Sequence, residues 1–231
     1  MSIYHLVITF LLLLYFLGFL QFGFEKIAWQ FFPPVIATTI AGVILDYIEL
    51  KRWTLPKTPF ITGLIIGLIG QFGESALTLS IIGVLSMSIK FFIKWQGRHI
   101  FNPAAAGILA GMLIFNSQPS WWSGGGSILP FLIWIPIFLY KFKRWAPMVG
   151  FLVPLIIFSG IRILASSSLL FFLSVMLIEP KTSPYEVKNG LIYGVIVGLG
   201  YILFSQTRLD PLITSLLVGN LGARLLQKVI V

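Results

Sequence analysis

Three short stretches of this sequence set hydrogen-bonding or charged side chains beside proline or glycine. Asn102-Pro103 stands before Ala104, Ala105, Ala106, Gly107, Ala110 and Gly111. Asparagine followed by proline suits a helix start, where the amide caps free N–H groups and proline fits the first turn. The small residues beyond it clear a face on which either a second helix or an electron-rich ligand group could approach the backbone. Thr62-Gly63 lies behind Pro56 and Pro59, with Gly67, Gly70 and Gly73 following. So much glycine weakens a helix that faces lipid, so this segment is expected to be enclosed by protein. Glu179-Pro180-Lys181-Thr182-Ser183-Pro184 joins a carboxylate, an ammonium and two hydroxyls to two prolines. It reads either as a solvated turn or as irregular backbone lining a site inside a membrane, where only protein or a water-filled cavity makes such backbone tolerable.

Other chemistries find little support. There is no cysteine, which removes disulfides, thiolate metal sites and a thiol nucleophile. His5 and His99 are far apart in sequence, so no metal set and no bis-histidine haem is expected. Nucleotide-binding and hydrolase motifs are missing, and Gly124-Gly125-Gly126 has no strand to support it. No catalytic set can be assembled. The acidic residues Glu25, Asp46, Glu49, Glu74, Glu179, Glu186 and Asp210 fall near the ends of apolar runs, which weighs against a dense intramembrane proton relay.

The elements that must position these residues are long apolar runs, since 58% of the 231 residues are hydrophobic and only 10% charged. Such a composition belongs to the bilayer rather than to water. The runs cover 4–22, 29–47, 59–72, 76–93, 101–116, 127–140, 147–164, 168–178, 189–205 and 211–226. They predict an all-α polytopic membrane protein with about ten spans and very short loops, a single transmembrane domain over 1–231. The first run is read as a retained helix, because it lacks the basic start and the small-residue cleavage pattern of a signal peptide.

The net charge of +9 lies in the links between runs, which points to topology rather than to nucleic acid. One set of alternate links holds Lys51, Arg52, Lys57, Lys90, Lys94, Arg98, Lys141, Lys143, Arg144, Lys181, Lys188, Arg224 and Lys228, and the other only Lys26, Arg162 and Arg208. Both ends are therefore expected in the cytoplasm, with the chain in the inner membrane. Trp53, Trp95 and Trp145 then fall near the inner interface and Trp121-Trp122 near the outer one, as belt residues or as packing residues.

Ten runs divide into two fives, and an odd number per half inverts one half against the other. The twelve residues from Asn102 and the twelve from Asp210 share proline, glycine and leucine positions, with Asn answering Asp. The third and eighth runs are both short, and short segments at matching places of two inverted halves point to a site near the repeat interface. Repeat one is expected over about 1–117 and repeat two over about 118–231.

Phe60-Ile61-Thr62-Gly63-Leu64, Phe101-Asn102-Pro103-Ala104-Ala105-Ala106-Gly107, Glu179-Pro180-Lys181-Thr182-Ser183-Pro184 and the run from Asn189 to Gly194 occur in an order that resembles the RnfD/NqrB family. These are membrane flavoprotein subunits of ion-translocating ferredoxin:NAD and NADH:quinone oxidoreductases, and Lys143-Arg144-Trp145 with Pro147 also fits their basic link. The resemblance implies two inverted five-helix repeats in a urea-transporter-like architecture, a flavin, and membrane and peripheral redox subunits as partners. Family members usually attach FMN to a threonine in the outer loop after the fifth span. Here that loop, residues 117–127, contains no threonine, so FMN or riboflavin is expected to be non-covalent. Glu179 replaces the family's aspartate, and Asp210-Pro211 keeps only the proline of the family's last-span motif. The implied cofactor-binding residues are Thr62, Gly63, Asn102, Pro103, Glu179, Thr182 and Ser183, with Lys181 or Arg98 for a phosphate.

Two other functions share this architecture: a channel or facilitator for a small neutral solute, and a scaffold that anchors redox subunits. Sidedness is directly testable because the chain is cysteine-free. Single cysteines at Ser2 and Lys188 should react with an impermeant maleimide only from the cytoplasmic face, and one at Arg208 only from outside. The opposite pattern would invert the topology.

Overall fold

A computed structural model of the chain describes residues 2–53, 56–123 and 127–229. The glycine run at 124–126 lies outside the described residues. Among the described residues ten α-helices account for nearly all regular structure: α1 (Ile3–Phe22), α2 (Phe24–Leu50), α3 (Lys57–Ile69), α4 (Ala76–Phe92), α5 (Pro103–Phe115), α6 (Leu129–Phe142), α7 (Trp145–Ser159), α8 (Ser167–Phe171), α9 (Val187–Phe204) and α10 (Pro211–Val229). Each apolar run of the sequence holds one helix. Three of them, α1, α2 and α9, are long and apolar enough to cross a membrane. Most of the others are shorter apolar helices. Along α2, Phe32, Ile36, Ile40, Ile44 and Ile48 form an exposed apolar stripe at helical spacing, a surface suited to lipid and costly in water.

Several boundaries differ from the runs. α2 begins at Phe24, five residues before its run, because Gly23 alone turns the chain from α1. At φ 86° and ψ 161° Gly23 occupies a region open essentially to glycine. α2 then continues through Glu25, Lys26, Pro33 and Pro34. The seventh run contains two elements, since Gly160 at positive φ ends α7 and a 3₁₀ turn, Ile161–Ala165, follows with Arg162 in it. The eighth run starts as α8, capped by the Ser166 hydroxyl, and widens into a π-helical turn at Phe172–Leu177. Before α5, two-residue strands β1 (Lys94–Trp95) and β2 (Arg98–His99) form a hairpin. Its central residues Gln96 and Gly97 both have positive φ, the pattern of a type I′ turn.

The chain forms two compact units. The first comprises Met1–Phe92 and Pro103–Gly126, and therefore α1 to α5. In it α2 packs on α1, α3 and α4, and α4 packs on α5. The crossings are close because glycines face backbone or small groups: a Cβ at Gly63 would collide with Thr38 and Val35 of α2, and one at Gly107 with Ser86 of α4. Pro33 and Pro34 remove the N–H groups that would bond Trp29 O and Gln30 O. Gly67 of α3 lies directly against the freed Gln30 carbonyl.

The second unit comprises Ile93–Asn102 and Ser127–Val231, hence the hairpin and α6 to α10. In it α7 packs on α9, α9 on α10, and α6 on the α8 segment. Gly150, Gly194 and Gly198 bring α7 and α9 together, and Gly200 faces Ser215 of α10. At Gly194 a Cβ would overlap Pro147 O and Phe151 N, whereas at Gly222 it would meet only Ile196, at an ordinary 3.6 Å. Gly194→Ala should therefore destabilise the protein by about 1–3 kcal/mol, as overpacking does. Gly222→Ala should be neutral or slightly stabilising. Thermal unfolding in detergent checks the pair, and equal midpoints would contradict this packing.

Candidate functional site

The polar centre of the second unit is the turn that follows the π-helical segment. Pro180 lacks an N–H and disfavours helix in the residue before it, so the helix cannot run on past Glu179. The Glu179 carbonyl instead accepts from Thr182 N at 3.2 Å, Ser183 N at 3.0 Å and Ser183 Oγ at 2.8 Å. This closes a compact loop whose outward carbonyls need donors of their own.

Two arginines supply them. Arg144 stands between α6 and α7, placed there by the left-handed conformation of Lys143. Its guanidinium donates to Pro180 O at 3.1 Å, Pro184 O at 2.7 Å, Ser183 Oγ at 3.0 Å and Ser183 O. Arg224, near the end of α10, donates to Lys181 O at 2.7 Å and to His99 O at 3.1 Å, joining the turn to the hairpin. Both arginines are buried. A planar guanidinium presents several donors in a fixed fork, which suits bridging carbonyls in a way an ammonium cannot. Burial lowers the Arg144 pKa, opposed by Tyr185, Tyr193 and Glu179, and the Tyr185 ring lies 5.5 Å from the guanidinium.

A second chain of bonds runs inward from the carboxylate. Glu179 Oε2 accepts from Asn102 Nδ2 and from Thr182 Oγ1, each at 2.9 Å. The Asn102 backbone N–H donates to Asn220 Oδ1 at 2.9 Å, and Asn220 Nδ2 donates to the Tyr193 hydroxyl at 3.1 Å. Glu179 is half-buried, while Asn102, Asn220 and Tyr193 are buried. The arrangement holds one carboxylate among amide, hydroxyl and phenol groups with two guanidiniums nearby. It can bind a polar ligand edge or hold charge.

Of the residues singled out in the sequence, the structure brings Asn102, Glu179, Thr182 and Ser183 together. Lys181 joins them through its carbonyl and turns an exposed side chain outward. Arg98 is exposed on β2, and Pro103 is the first residue of α5. Thr62 and Gly63 belong to α3 in the first unit. The Thr62 hydroxyl donates to Thr58 O at 3.0 Å, and Gly63 makes room for α2 rather than for a ligand. Asp210, the counterpart of Asn102, caps α10 by accepting from Ile213 N at 2.9 Å. Arg144, Tyr193, Asn220 and Arg224 were not among the expected site residues. Asn220 carried a signal, being a lone amide in an otherwise apolar stretch of α10.

In the first unit the short helix α3 is closed by the segment that follows α5. Trp122 Nε1 donates to Gly67 O at 2.7 Å, Ser120 N to Ile69 O at 3.1 Å and Ser120 Oγ to Gly70 O at 2.8 Å. Tyr15 OH donates to Leu64 O at 3.0 Å, with its ring centroid 5.6 Å from that of Trp122. Trp121 and Trp122 are thus buried packing residues, whereas Trp53, Trp95 and Trp145 remain exposed.

No protein-family model matches this sequence, and no curated protein matches it either.

Arg144→Gln removes a fork that serves three carbonyls and a hydroxyl. The expected loss is about 2–4 kcal/mol, from buried acceptors left unpaired. A thermal midpoint several degrees lower in detergent checks it, and Arg144→Lys should recover only part of the loss.

Proposed function

We propose that this chain is the membrane subunit of an electron-transport complex, similar to the RnfD/NqrB family, that holds FMN or riboflavin non-covalently beside the 179–184 turn. The observation that carries the reading is the convergence of two motifs 77 residues apart, Asn102-Pro103 and Glu179-Pro180-Lys181-Thr182-Ser183-Pro184, on one carboxylate. The donor and acceptor types suit the polar edge of an isoalloxazine ring. In this structure Asn102, Thr182 and Ser183 direct their donors to Glu179, so a flavin would be held by re-pairing those groups. Exposed Lys181 and Arg98 are the cations available for its phosphate. Thr62 and Gly63 are weaker members of the set, since one hydroxyl donates within its own helix and the glycine is occupied by α2. A bound flavin would supply the redox chemistry, and the protein its position and electrostatics. Ion movement, if coupled, would depend on partner subunits, given the sparse carboxylates of this chain.

Ten spans in two inverted five-helix repeats, with both termini cytoplasmic, complete the proposal. The α2–α4 and α4–α5 packing, answered five helices on by α7–α9 and α9–α10, supports it. So do the counterpart glycines Gly111 and Gly219, which pack on Ile82 of α4 and Val197 of α9. The α4–α5 crossing sets Gly107 against Ser86 and the α9–α10 crossing sets Ser215 against Gly200, the same small pair with the partners exchanged.

A facilitator for a small neutral solute is the second reading, favoured by the buried hydroxyls Ser86 Oγ, Ser123 Oγ and Thr214 Oγ1, which have no hydrogen-bond partner among the described residues. An absorbance scan separates the two. Purified protein should show a flavin band or take up added FMN, and Asn102→Leu or Thr182→Val should weaken binding by about tenfold, as loss of a buried charge-assisted bond does. No flavin band and no uptake, with solute flux into proteoliposomes in the absence of any redox partner, would favour the facilitator and sink the flavin reading.

A further inference from the structure

The first two turns of α2 and the link from α3 to α4 meet around a cavity of about 590 Å³ in the first unit, a volume in the range of small-ligand sites. Lys26 in the first turn of α2 and Glu74 ahead of α4 both line it, together with Trp29 and Phe72. Among the described residues no ion pair joins Lys26 to Glu74. Glu74 Oε1 accepts from Ser75 N at 2.9 Å, which leaves the second carboxylate oxygen for another donor. The site thus offers a cation and an anion to one ligand, with aromatic surface in the same lining. Trp29 is 57% exposed, and its apolar face is unusual for a pocket meant for a freely soluble ion.

Depth identifies the ligand's source. Between Lys26 and Asp46, α2 carries no charged residue. The twenty helical steps from Lys26 to Asp46 rise about 30 Å, the thickness of the hydrocarbon layer. Lys26 therefore lies where the acyl chains end and the headgroups begin, the level at which tryptophan also concentrates. Lys26 is moreover one of only three basic residues in its set of links, so topology signalling does not account for it.

We propose that this cavity seats the headgroup of a zwitterionic phospholipid bearing a primary ammonium. Lys26 takes the phosphate as a compact positive charge, and Glu74 accepts from the ammonium. Trp29 and Phe72 lie against the glycerol and the first methylenes. An anionic lipid without the ammonium meets Glu74 unfavourably. The proposal rests on the membrane reading of α2 and is independent of flavin.

The test is lipid competition on the full chain reconstituted in nanodiscs made from equal phosphatidylethanolamine and phosphatidylglycerol, with retained lipid counted by mass spectrometry. Wild type should retain phosphatidylethanolamine by about tenfold over phosphatidylglycerol, the scale of one charge-assisted contact. Glu74→Gln should bring the ratio to about parity, and Lys26→Gln should lower retention of both lipids. Equal retention by wild type, or an unchanged ratio in Glu74→Gln, would overturn the proposal. A phosphatidylethanolamine photoprobe on the wild-type protein supplies a readout that no variant's folding can obscure. Crosslinks at 26–29 and 72–76 support the seat, and crosslinks confined elsewhere refute it. Displacement of the probe by soluble glycerophosphoethanolamine would reassign the cavity to a free zwitterion and so overturn the lipid assignment. Protein that fails to float with vesicles would remove the membrane reading itself, whereas absence of flavin would leave this result standing.

Discussion

Backbone carbonyls at the broken end of a short apolar helix must find donors within the protein, and this requirement organises both units. A helix of 13 residues, such as α3, rises only about 20 Å, less than the hydrocarbon thickness. Its last carbonyls cannot rely on bulk water. The 117–123 segment supplies an indole N–H, a hydroxyl and backbone amides to Gly67, Ile69 and Gly70. The α8 segment meets the same demand with two guanidiniums. Each unpaired buried group costs about 1–3 kcal/mol, so several left open together would rival the whole stability of a typical domain. The buried arginines and the wrapped loop follow from this single need.

Once the turn is fixed by its carbonyls, its side chains are free to form a site. Arg144 and Arg224 hold the backbone, which lets Glu179, Thr182 and Asn102 converge without strain in the loop. Asn220 and Tyr193 extend the network from α10 and α9, so the carboxylate is oriented by three separate parts of the chain. Buried networks of this kind rigidify a site when every member is paired. Small residues serve a different end. They let helices approach closely enough for packing alone to hold them, which matters where lipid offers no hydrophobic drive to association.

Much of the helical order was legible in the sequence, because apolar runs and proline or glycine punctuation survive without tertiary information. The start of α2 was hidden, since Gly23, Glu25 and Lys26 resemble a link although the helix begins at Phe24. The hairpin was hidden because two-residue strands leave no alternation, and its turn uses Gln96 where asparagine would have signalled it. In the site, Asn102 and the Glu179 stretch stood out by residue type. Arg144 and Arg224 did not, because a basic residue in a link between apolar runs has a ready explanation as a topology signal. Gly63 shows the converse difficulty: a glycine clears space, and only the fold shows that a helix fills it.

The central claim is that irregular backbone in this apolar chain is held as firmly as its helices, by side-chain donors brought from distant links. Hydrogen–deuterium exchange on the intact protein in nanodiscs tests it most directly. The amides of Thr182 and Ser183, which donate to Glu179 O, and those of Ser120 and Trp121, which donate to Ile69 O, should exchange as slowly as amides inside α9. Exchange of all four within seconds, while α9 stays protected, would contradict the account.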